Sequence, residues 1–343
     1  MTGIRRILKH KPAMVFVFLP VAMVAALVLG VVDISWGDML TALSSQEASP
    51  ARTILWDIRL PRILTGVVAG AHFALAGAIL QLVTRNPIAD PTILGISQGA
   101  TLAVCTFLFF AIYLGNNDQH AAVALPAHLM PLFGCLGGLA ASAVIFSLAY
   151  SVKMSPVRLI LCGVAVGAVL HSVAIGLIAG WGSARLEIVM RWLSGSLYGR
   201  GWNELGFLLL ISAPLLPLIF ATNRPLHMLA FRRDSAMSFG LPYSFWFTIM
   251  IALASLLAAS AVGVVGPLLF VGLMAPHLAR YLIAGRPNLL LPVSAGIGSL
   301  LVTLADLVGR LVGGAEEIPV GVVTALLGAP VLLFLLNKGR RLA

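Results

Sequence analysis

Charged residues are scarce in this chain: only 10% of its 343 residues are Asp, Glu, Lys or Arg, and 60% are hydrophobic. A soluble domain of this size cannot bury so much apolar surface in one core. About 20 apolar residues of helix cross the hydrocarbon core of a bilayer. Nine stretches of at least 19 residues lack any charged side chain, namely 12–32, 63–84, 91–117, 119–152, 159–184, 205–223, 235–279, 287–305 and 318–337. The sequence therefore predicts a polytopic membrane protein.

The apolar stretches also lack the alternation of apolar and polar residues that is typical of barrel strands. Open strands would leave backbone amides unpaired in hydrocarbon, so we predict an all-α fold. The stretch 235–279 has room for two crossings with a reversal at Gly266-Pro267, which gives about ten transmembrane helices. Glycines four residues apart, such as Gly66/Gly70 and Gly134/Gly138, predict closely packed helices. A single membrane domain would cover residues 1–343.

The positive charges are distributed unevenly along the chain. With ten spans both termini lie on one side, and placing them in the cytoplasm puts 15 of the 22 Lys and Arg on inner segments. Inner loops of membrane proteins are rich in these residues, so we expect cytoplasmic N- and C-termini. The first apolar stretch is too long for a signal peptide and is interpreted as an uncleaved span. The net charge of +10 then reflects topology and attraction to anionic membrane lipid, and no basic aromatic face indicates a nucleic-acid partner.

Several kinds of chemistry have no support in the sequence. No Gly-Lys dipeptide occurs, so a Walker A loop for ATP phosphates is excluded and any driving energy comes from elsewhere. The three cysteines form no CxxC pair and the seven histidines have no metal-ligand spacing, so no cofactor or metal is expected. Asp306 is the only acid inside a predicted span. It would carry the proton in an ion-coupled carrier, but a structural hydrogen-bonding role is favoured.

Two arginines flank a proline at the predicted start of the second span, in Arg59-Leu60-Pro61-Arg62. Proline suits the first turn of a helix, but cations there face the positive end of the helix dipole. The motif therefore predicts an anionic partner at this end, where Arg310 of the ninth span is also expected. Contact of the arginines with lipid phosphates is the alternative.

The longest inner loop, residues 223–242, combines basic residues with short apolar pairs. Its charged residues are Arg224, Arg232, Arg233 and Asp234. This pattern predicts one or two short amphipathic helices. Such helices either contact a soluble partner or lie on the membrane surface.

A series of motifs between residues 59 and 321 resembles the permease subunits of binding-protein-dependent ABC importers for ferric siderophores, haem and cobalamin. Besides the arginine motif, they are Arg85-Asn86-Pro87-Ile88-Ala89-Asp90-Pro91, Phe270-Val271-Gly272-Leu273, Ala305-Asp306 with Arg310, and Glu317-Ile318-Pro319-Val320-Gly321. The resemblance implies a type II ABC importer fold in the bacterial inner membrane. It also implies a second permease copy, identical or paralogous, two cytoplasmic ATP-binding subunits and a periplasmic substrate-binding protein. The permease itself would catalyse no reaction.

The same resemblance implies roles for individual residues. Arg59, Arg62 and Arg310 would pair with glutamates on the docking lobes of the binding protein. The loop 223–242 would be the coupling segment that sits in a groove of the ATPase, with Ala236 and Gly240 at matching positions. Phe231-Arg232-Arg233 replaces the usual Leu-Gly-Asp of the family, which favours a dedicated ATPase partner.

The resemblance further implies a gated path through the membrane. Asn86, Pro87 and Ile88 would form an inner gate, and the turn Ser155-Pro156-Val157 its companion. In this turn Pro156 replaces the small polar residue expected from the family. The helix that lines the path would present Gly163, Gly167 and His171 on one face. His171 could contact an iron chelate, but a hydrogen bond to a neighbouring helix is the favoured interpretation.

The expected cargo is a bulky iron chelate, with a ferric siderophore ahead of haem or cobalamin. Two alternatives lie outside this family. One is an ion-coupled secondary transporter that uses Asp306. The other is an intramembrane enzyme, for which the adjacent residues His171 and Ser172 are a poor catalytic pair, since they lie about 100° apart on a helix.

Overall fold

The structure is a computed structural model that describes residues 2–32, 34–44, 49–115, 127–150, 156–179, 190–283 and 285–339. Within these ranges the chain forms helices and contains no strand, which confirms the predicted all-α fold. The charge-free stretches correspond to the apolar helices α1 (Thr2–Val28), α4 (Leu60–Thr84), α5 (Ile96–Gly115), α6 (Met130–Tyr150), α7 (Pro156–Ala179), α8 (Trp202–Ala221), α11 (Tyr243–Val265), α12 (Val271–Ile283), α13 (Leu290–Gly313) and α14 (Val320–Gly339). Short helices also occur at α2 (Trp36–Ser44), α9 (Asn223–Leu229) and α10 (Arg233–Ser238), and α3 (Pro50–Thr53) leads through a π-helical turn into α4.

The apolar helices differ in how well their lengths match a membrane crossing. Six described helices are long and apolar enough to span a bilayer, and shorter apolar stretches occur in α1, α5 and α14. The chain leaves the helix at the predicted place: α11 ends at Val265, and Gly266 follows with φ of 77°. Helix α12 is shorter than predicted: its 13 residues extend about 20 Å, which is less than the hydrocarbon core of a bilayer.

The contacts divide the chain into two compact units. The first unit comprises 1–78, 194–210 and 268–343, and the second comprises 79–193 and 211–267. In the first unit α13 packs against α1, α12 and α14, and in the second α6 packs against α5, α7 and α11. The single domain expected from the sequence remains a prediction.

Glycines allow the helices of each unit to pack at backbone distance. In the first unit a Cβ on Gly70 would overlap the backbone of Gly298, and in the second a Cβ on Gly134 would lie 2.8 Å from the Cα of Gly263. The predicted close packing at these glycines is confirmed. The second unit also buries a hydrogen bond of 2.6 Å between the hydroxyls of Ser142 and Ser255. Small residues and buried hydroxyl pairs are the usual means by which helices associate in lipid.

The arginine motif does not lie at the start of a helix, which corrects the sequence-based argument. A continuous helix extends from Pro50 to Thr84, and the hydroxyl of Ser49 caps it by accepting a hydrogen bond from the Arg52 amide at 3.2 Å. One π-helical turn, Ile54–Arg59, precedes Pro61. Pro61 has no N–H and its ring crowds the preceding turn, and a wider turn accommodates both effects. Arg59 and Arg62 therefore lie inside a helix, where the dipole of a helix start does not act on them.

Candidate functional site

Arg62 is the centre of a buried group of charges in the first unit. Its Nε and Nη2 donate hydrogen bonds to Oδ1 of Asp306 at 3.0 and 2.7 Å. Its Nη1 and Nη2 donate to Oε1 and Oε2 of Glu317 at 3.0 and 2.9 Å. One guanidinium thus holds two carboxylates through charge-assisted hydrogen bonds. We refer to Arg62, Asp306, Arg310 and Glu317 as the arginine–acid cluster.

Arg310 completes this cluster from the next turn of α13. Its Nε lies 3.1 Å from Oδ2 of Asp306, and its Nη2 donates to the carbonyl of Ala26 at 3.1 Å. The cluster thus contains two cations and two anions, as is needed where burial makes an unpaired charge costly. The favoured interpretation of Asp306 as a structural hydrogen-bonding residue is confirmed.

Arg59 binds the backbone at the end of α1. Its Nη1 donates to the carbonyls of Leu27 and Val28 at 2.6 and 2.8 Å, and its Nη2 donates to the carbonyl of Val32. The last carbonyls of a helix lack intrahelical donors and form the negative end of its dipole, so a buried cation is stabilised there. A Cβ on Gly30 would lie 2.7 Å from Nη2 of Arg59. Glycine at position 30 therefore leaves room for the guanidinium.

All three arginines expected to dock a binding protein are thus buried, with partners in their own chain. The anion that the sequence placed on another protein is supplied to Arg62 and Arg310 by Asp306 and Glu317. The four-residue spacing of Asp306 and Arg310 on a helix was a signal for their ion pair. Glu317 was not assigned a role, and nothing local to its position indicated Arg62 as its partner. The docking role itself stays a prediction.

Glu317 has an unusual backbone conformation. Helix α13 ends at Gly313, a 3₁₀ turn covers Gly314–Glu316, and Glu317 follows with φ of 38° before α14 begins at Val320. A positive φ is disfavoured in residues other than glycine, and such strain persists only where surrounding contacts maintain it. The contacts here are the ion pair with Arg62 and a hydrogen bond of 3.1 Å from the Ile318 amide to the Gly309 carbonyl.

The loop 223–242 in the second unit forms two short helices, α9 and α10, as predicted. Arg224, Arg232, Arg233 and Asp234 are all exposed. Ala236 is fully buried, and its expected role in coupling remains a prediction. Gly240 ends α10 with φ of 83°, and the amides of Gly240 and Leu241 bond to the carbonyls of Met237 and Ala236 at 2.9 and 3.1 Å. This Schellman turn explains why position 240 is glycine.

An apolar surface beside these charges was missed in the sequence. Phe231 and Phe239 are 54% and 65% exposed, and their rings meet edge to face at a centroid distance of 6.1 Å. Met237 is also exposed. Aromatic residues, Met and Arg are enriched in the cores of protein interfaces. We refer to Phe231, Met237 and Phe239 as the aromatic patch.

The expected inner gate lies in a tight turn after α4. Arg85 has φ of 52°, and the Oδ1 of Asn86 accepts a hydrogen bond of 3.1 Å from the Ile88 amide. Pro87 and Ile88 are exposed. In the companion turn, Ser155 lies outside the described residues, Pro156 is the first residue of α7 and Val157 is exposed. The gate remains a prediction for both turns.

The expected path face of α7 is divided in the structure. Gly163 and Gly167 are buried, whereas His171 is exposed and forms no hydrogen bond with the described part of the chain. The favoured hydrogen bond from His171 to a neighbouring helix is therefore not found among the described residues. An apolar cavity of about 510 Å³ lies between α5, α6 and α7, but Val166 and Leu170 of α7 line it instead of the three expected residues.

Nearly the whole chain matches a known protein family. The model of the FecCD transport family matches residues 18–338. The chain belongs to the FecCD transport family. It is 34% identical to the iron(3+)-hydroxamate import system permease protein FhuG of Bacillus subtilis, over 95% of this chain and 96% of that protein. It is also 34% identical to the vitamin B12 import system permease protein BtuC of Shigella boydii, over 94% of each chain.

The solved structures give the same result for the fold. An inward-facing conformation of a metal-chelate type ABC transporter matches with a TM-score of 0.81 and 26% identity, over 95% of this chain and 98% of that one. The fold is therefore that of a type II ABC importer permease, and the resemblance found in the sequence motifs is confirmed. A multi-pass protein of the bacterial inner membrane follows from the apolar helices and this family membership.

Proposed function

We propose that the chain is the permease subunit of an ABC importer that moves a ferric siderophore across the inner membrane. The observation that carries this proposal is the family match over residues 18–338, together with similarity to an iron(3+)-hydroxamate permease along nearly the whole chain. The chain has no Walker A loop, so two separate cytoplasmic subunits would bind and hydrolyse ATP. The permease would catalyse no reaction and would alternate between outward and inward access.

Cobalamin is the second candidate cargo, because the vitamin B12 permeases are as similar to this chain as the hydroxamate permease is. A transport assay with both compounds distinguishes them. Cells that contain the complete importer should accumulate an ⁵⁵Fe-labelled ferric trihydroxamate, and excess unlabelled ferric trihydroxamate should abolish this uptake while cyanocobalamin leaves it unchanged. Accumulation of labelled cyanocobalamin without iron uptake would replace the siderophore with cobalamin.

We propose that the segment 223–242 couples the permease to its ATPase. The exposed charges of Arg224, Arg232, Arg233 and Asp234 support this role, as does the neighbouring aromatic patch. Burial of Ala236 and the turn at Gly240 would fix the shape of the segment instead of contacting the partner. An ATPase groove with apolar walls and acidic residues at its edge would complement this surface. Such a segment lies in the cytoplasm, as do both termini in the same topology.

We propose that Arg59, Arg62 and Arg310 receive the periplasmic binding protein. The resemblance to family members supports this role, Arg59 and Arg310 both bind carbonyls at the end of α1, and Arg62 shares Asp306 with Arg310. Complementary charges at a docking surface orient a partner and speed its association more than they add affinity.

A second copy of the permease would cover the apolar side of α7, where Val157, Leu161 and Val164 are exposed.

A further inference from the structure

The two carboxylates that bind Arg62 differ in how firmly the chain holds them. The side chain of Asp306 is 4% exposed and also pairs with Arg310, whereas the side chain of Glu317 is 16% exposed and has Arg62 as its ion-pair partner. If Glu317 moved away, Asp306 would still be paired with two arginines. If Asp306 were removed, the buried Arg310 would lose its carboxylate partner. Glu317 is therefore the carboxylate that can be released.

The strained backbone conformation of Glu317 favours release of its carboxylate from Arg62. Its φ of 38° places a residue with a Cβ in a conformation that glycine normally occupies. The ion pair with Arg62 holds this conformation together with the hydrogen bonds from the Glu317 amide to the Gly314 carbonyl and from the Ile318 amide to the Gly309 carbonyl, and loss of the pair would allow the turn to relax. The turn joins α13 to α14, so its relaxation would act directly on the start of α14.

We propose that Glu317 is an internal competitor for Arg62: a carboxylate of the binding protein displaces it, and the strained turn at residues 314–319 is then released. This inference rests on the proposed docking of a binding protein. The exchange conserves charge, since the incoming carboxylate replaces the outgoing one beside Arg62. The incoming group would approach from the side of Glu317, which is the more exposed side of the cluster. Docking would thereby be linked to movement at the start of α14.

The test uses the assembled transporter in lipid nanodiscs, with the substrate-binding protein that co-purifies with it as the probe. Three variants are compared with the parent complex. Glu317→Gln removes the competing charge at nearly constant size, and Glu317→Asp retains the charge on a shorter side chain. Glu316→Gln is the matched control, because it removes the same charge from the adjacent exposed residue.

The first measurement is hydrogen exchange of the peptide that contains residues 314–319, without the binding protein. Exchange at Glu317 and Ile318 should be faster in Glu317→Gln than in the parent, and unchanged in Glu316→Gln. The second measurement is the affinity for the binding protein. Glu317→Gln should bind up to about five times more tightly, the size expected for loss of one partly exposed ion pair. Glu317→Asp should lie between Glu317→Gln and the parent in both measurements.

The two measurements separate the failure of this inference from the failure of the proposed function. Unchanged hydrogen exchange in Glu317→Gln would show that the ion pair does not hold the turn in a strained conformation, whatever the chain transports. Faster exchange with unchanged affinity would overturn the competition for Arg62. A parent complex that binds no substrate-binding protein would refute the proposed docking, and the competition with it.

Discussion

The arginine–acid cluster and the segment 223–242 each contain two or more arginines, but the arginines of the cluster are buried and those of the segment are exposed. In the cluster the guanidinium of Arg62 is buried and satisfied by Asp306 and Glu317. In the segment, Arg232 and Arg233 are exposed beside an exposed aromatic patch. The first arrangement joins α4 to α13 and to the turn before α14, and the second leaves its charges available to another protein. Burial and partners, more than residue type, therefore decide which arginines stabilise the fold and which can recognise a partner.

The largest effect should come from removing the acid at the centre of the cluster. Asp306→Asn leaves Arg62 with one carboxylate and Arg310 with none, and breaking a buried pair typically costs about 3–5 kcal/mol. We expect a large loss of folded protein and a clear fall in its thermal unfolding temperature in detergent. Asp234→Asn removes an exposed acid from the other region and should change neither. Equal stability of the two variants would remove the distinction between the regions.

The next effect concerns the space that Gly30 leaves for Arg59. Gly30→Ala places a methyl group 2.7 Å from Nη2 of Arg59, so the buried guanidinium must shift and its hydrogen bonds to the carbonyls at the end of α1 are weakened. Overpacking of this kind costs about 1–3 kcal/mol, and the unfolding temperature should fall accordingly. The control is Gly176→Ala on α7, where a Cβ meets no atom within 4 Å. A stable Gly30→Ala variant would show that Arg59 does not need these carbonyls.

Substitution in the aromatic patch should weaken binding to a partner and leave the stability of the permease unchanged. Phe239→Ser removes an exposed ring, so the stability of the permease should be unchanged. Association with the ATPase should weaken about tenfold or more in a pull-down titration, as expected for an aromatic anchor residue worth more than 1 kcal/mol. Ser235→Ala on the same short helix provides the control. Normal assembly of Phe239→Ser would mean that the patch faces lipid or another surface.

The smallest effect is expected from the two exposed arginines of the segment. Replacing Arg232 with Gly and Arg233 with Asp removes both positive charges and should weaken binding to the native ATPase a few-fold, chiefly at low salt, because exposed charges guide association more than they add affinity. The measurement is the association rate at two ionic strengths. An unchanged rate at both would show that these residues do not select the partner.

The sequence predicted the helices well and the contacts of the cluster poorly. Charge-free stretches reflect the thickness of the bilayer, so they located the apolar helices with small errors at the ends. Helix α12 was the exception, because it begins only at Val271, after Phe270 with its positive φ of 67°. The short helices of the segment 223–242 were also predicted correctly, since short amphipathic patterns are local features.

The errors in the cluster have a physical cause. The ion pair of Arg62 and Glu317 joins residues 255 positions apart, and no local pattern records such a contact. Arg59 donates to backbone carbonyls, which every residue has, so no residue type in the sequence indicates these acceptors. The exposure of His171 likewise depends on which helices pack beside α7. The π-helical turn before Pro61 could have been inferred, because proline inside a helix disturbs the turn that precedes it.

The central claim is that the chain is an ATP-driven permease, and transport into proteoliposomes tests it most directly. The permease, its ATPase and its binding protein are reconstituted, and uptake of an ⁵⁵Fe-labelled ferric trihydroxamate is measured with and without ATP. Uptake should require ATP and both partners, and should be insensitive to an imposed pH gradient. Uptake driven by a pH gradient in vesicles that contain the permease alone would contradict the account and assign the chain to the ion-coupled carriers.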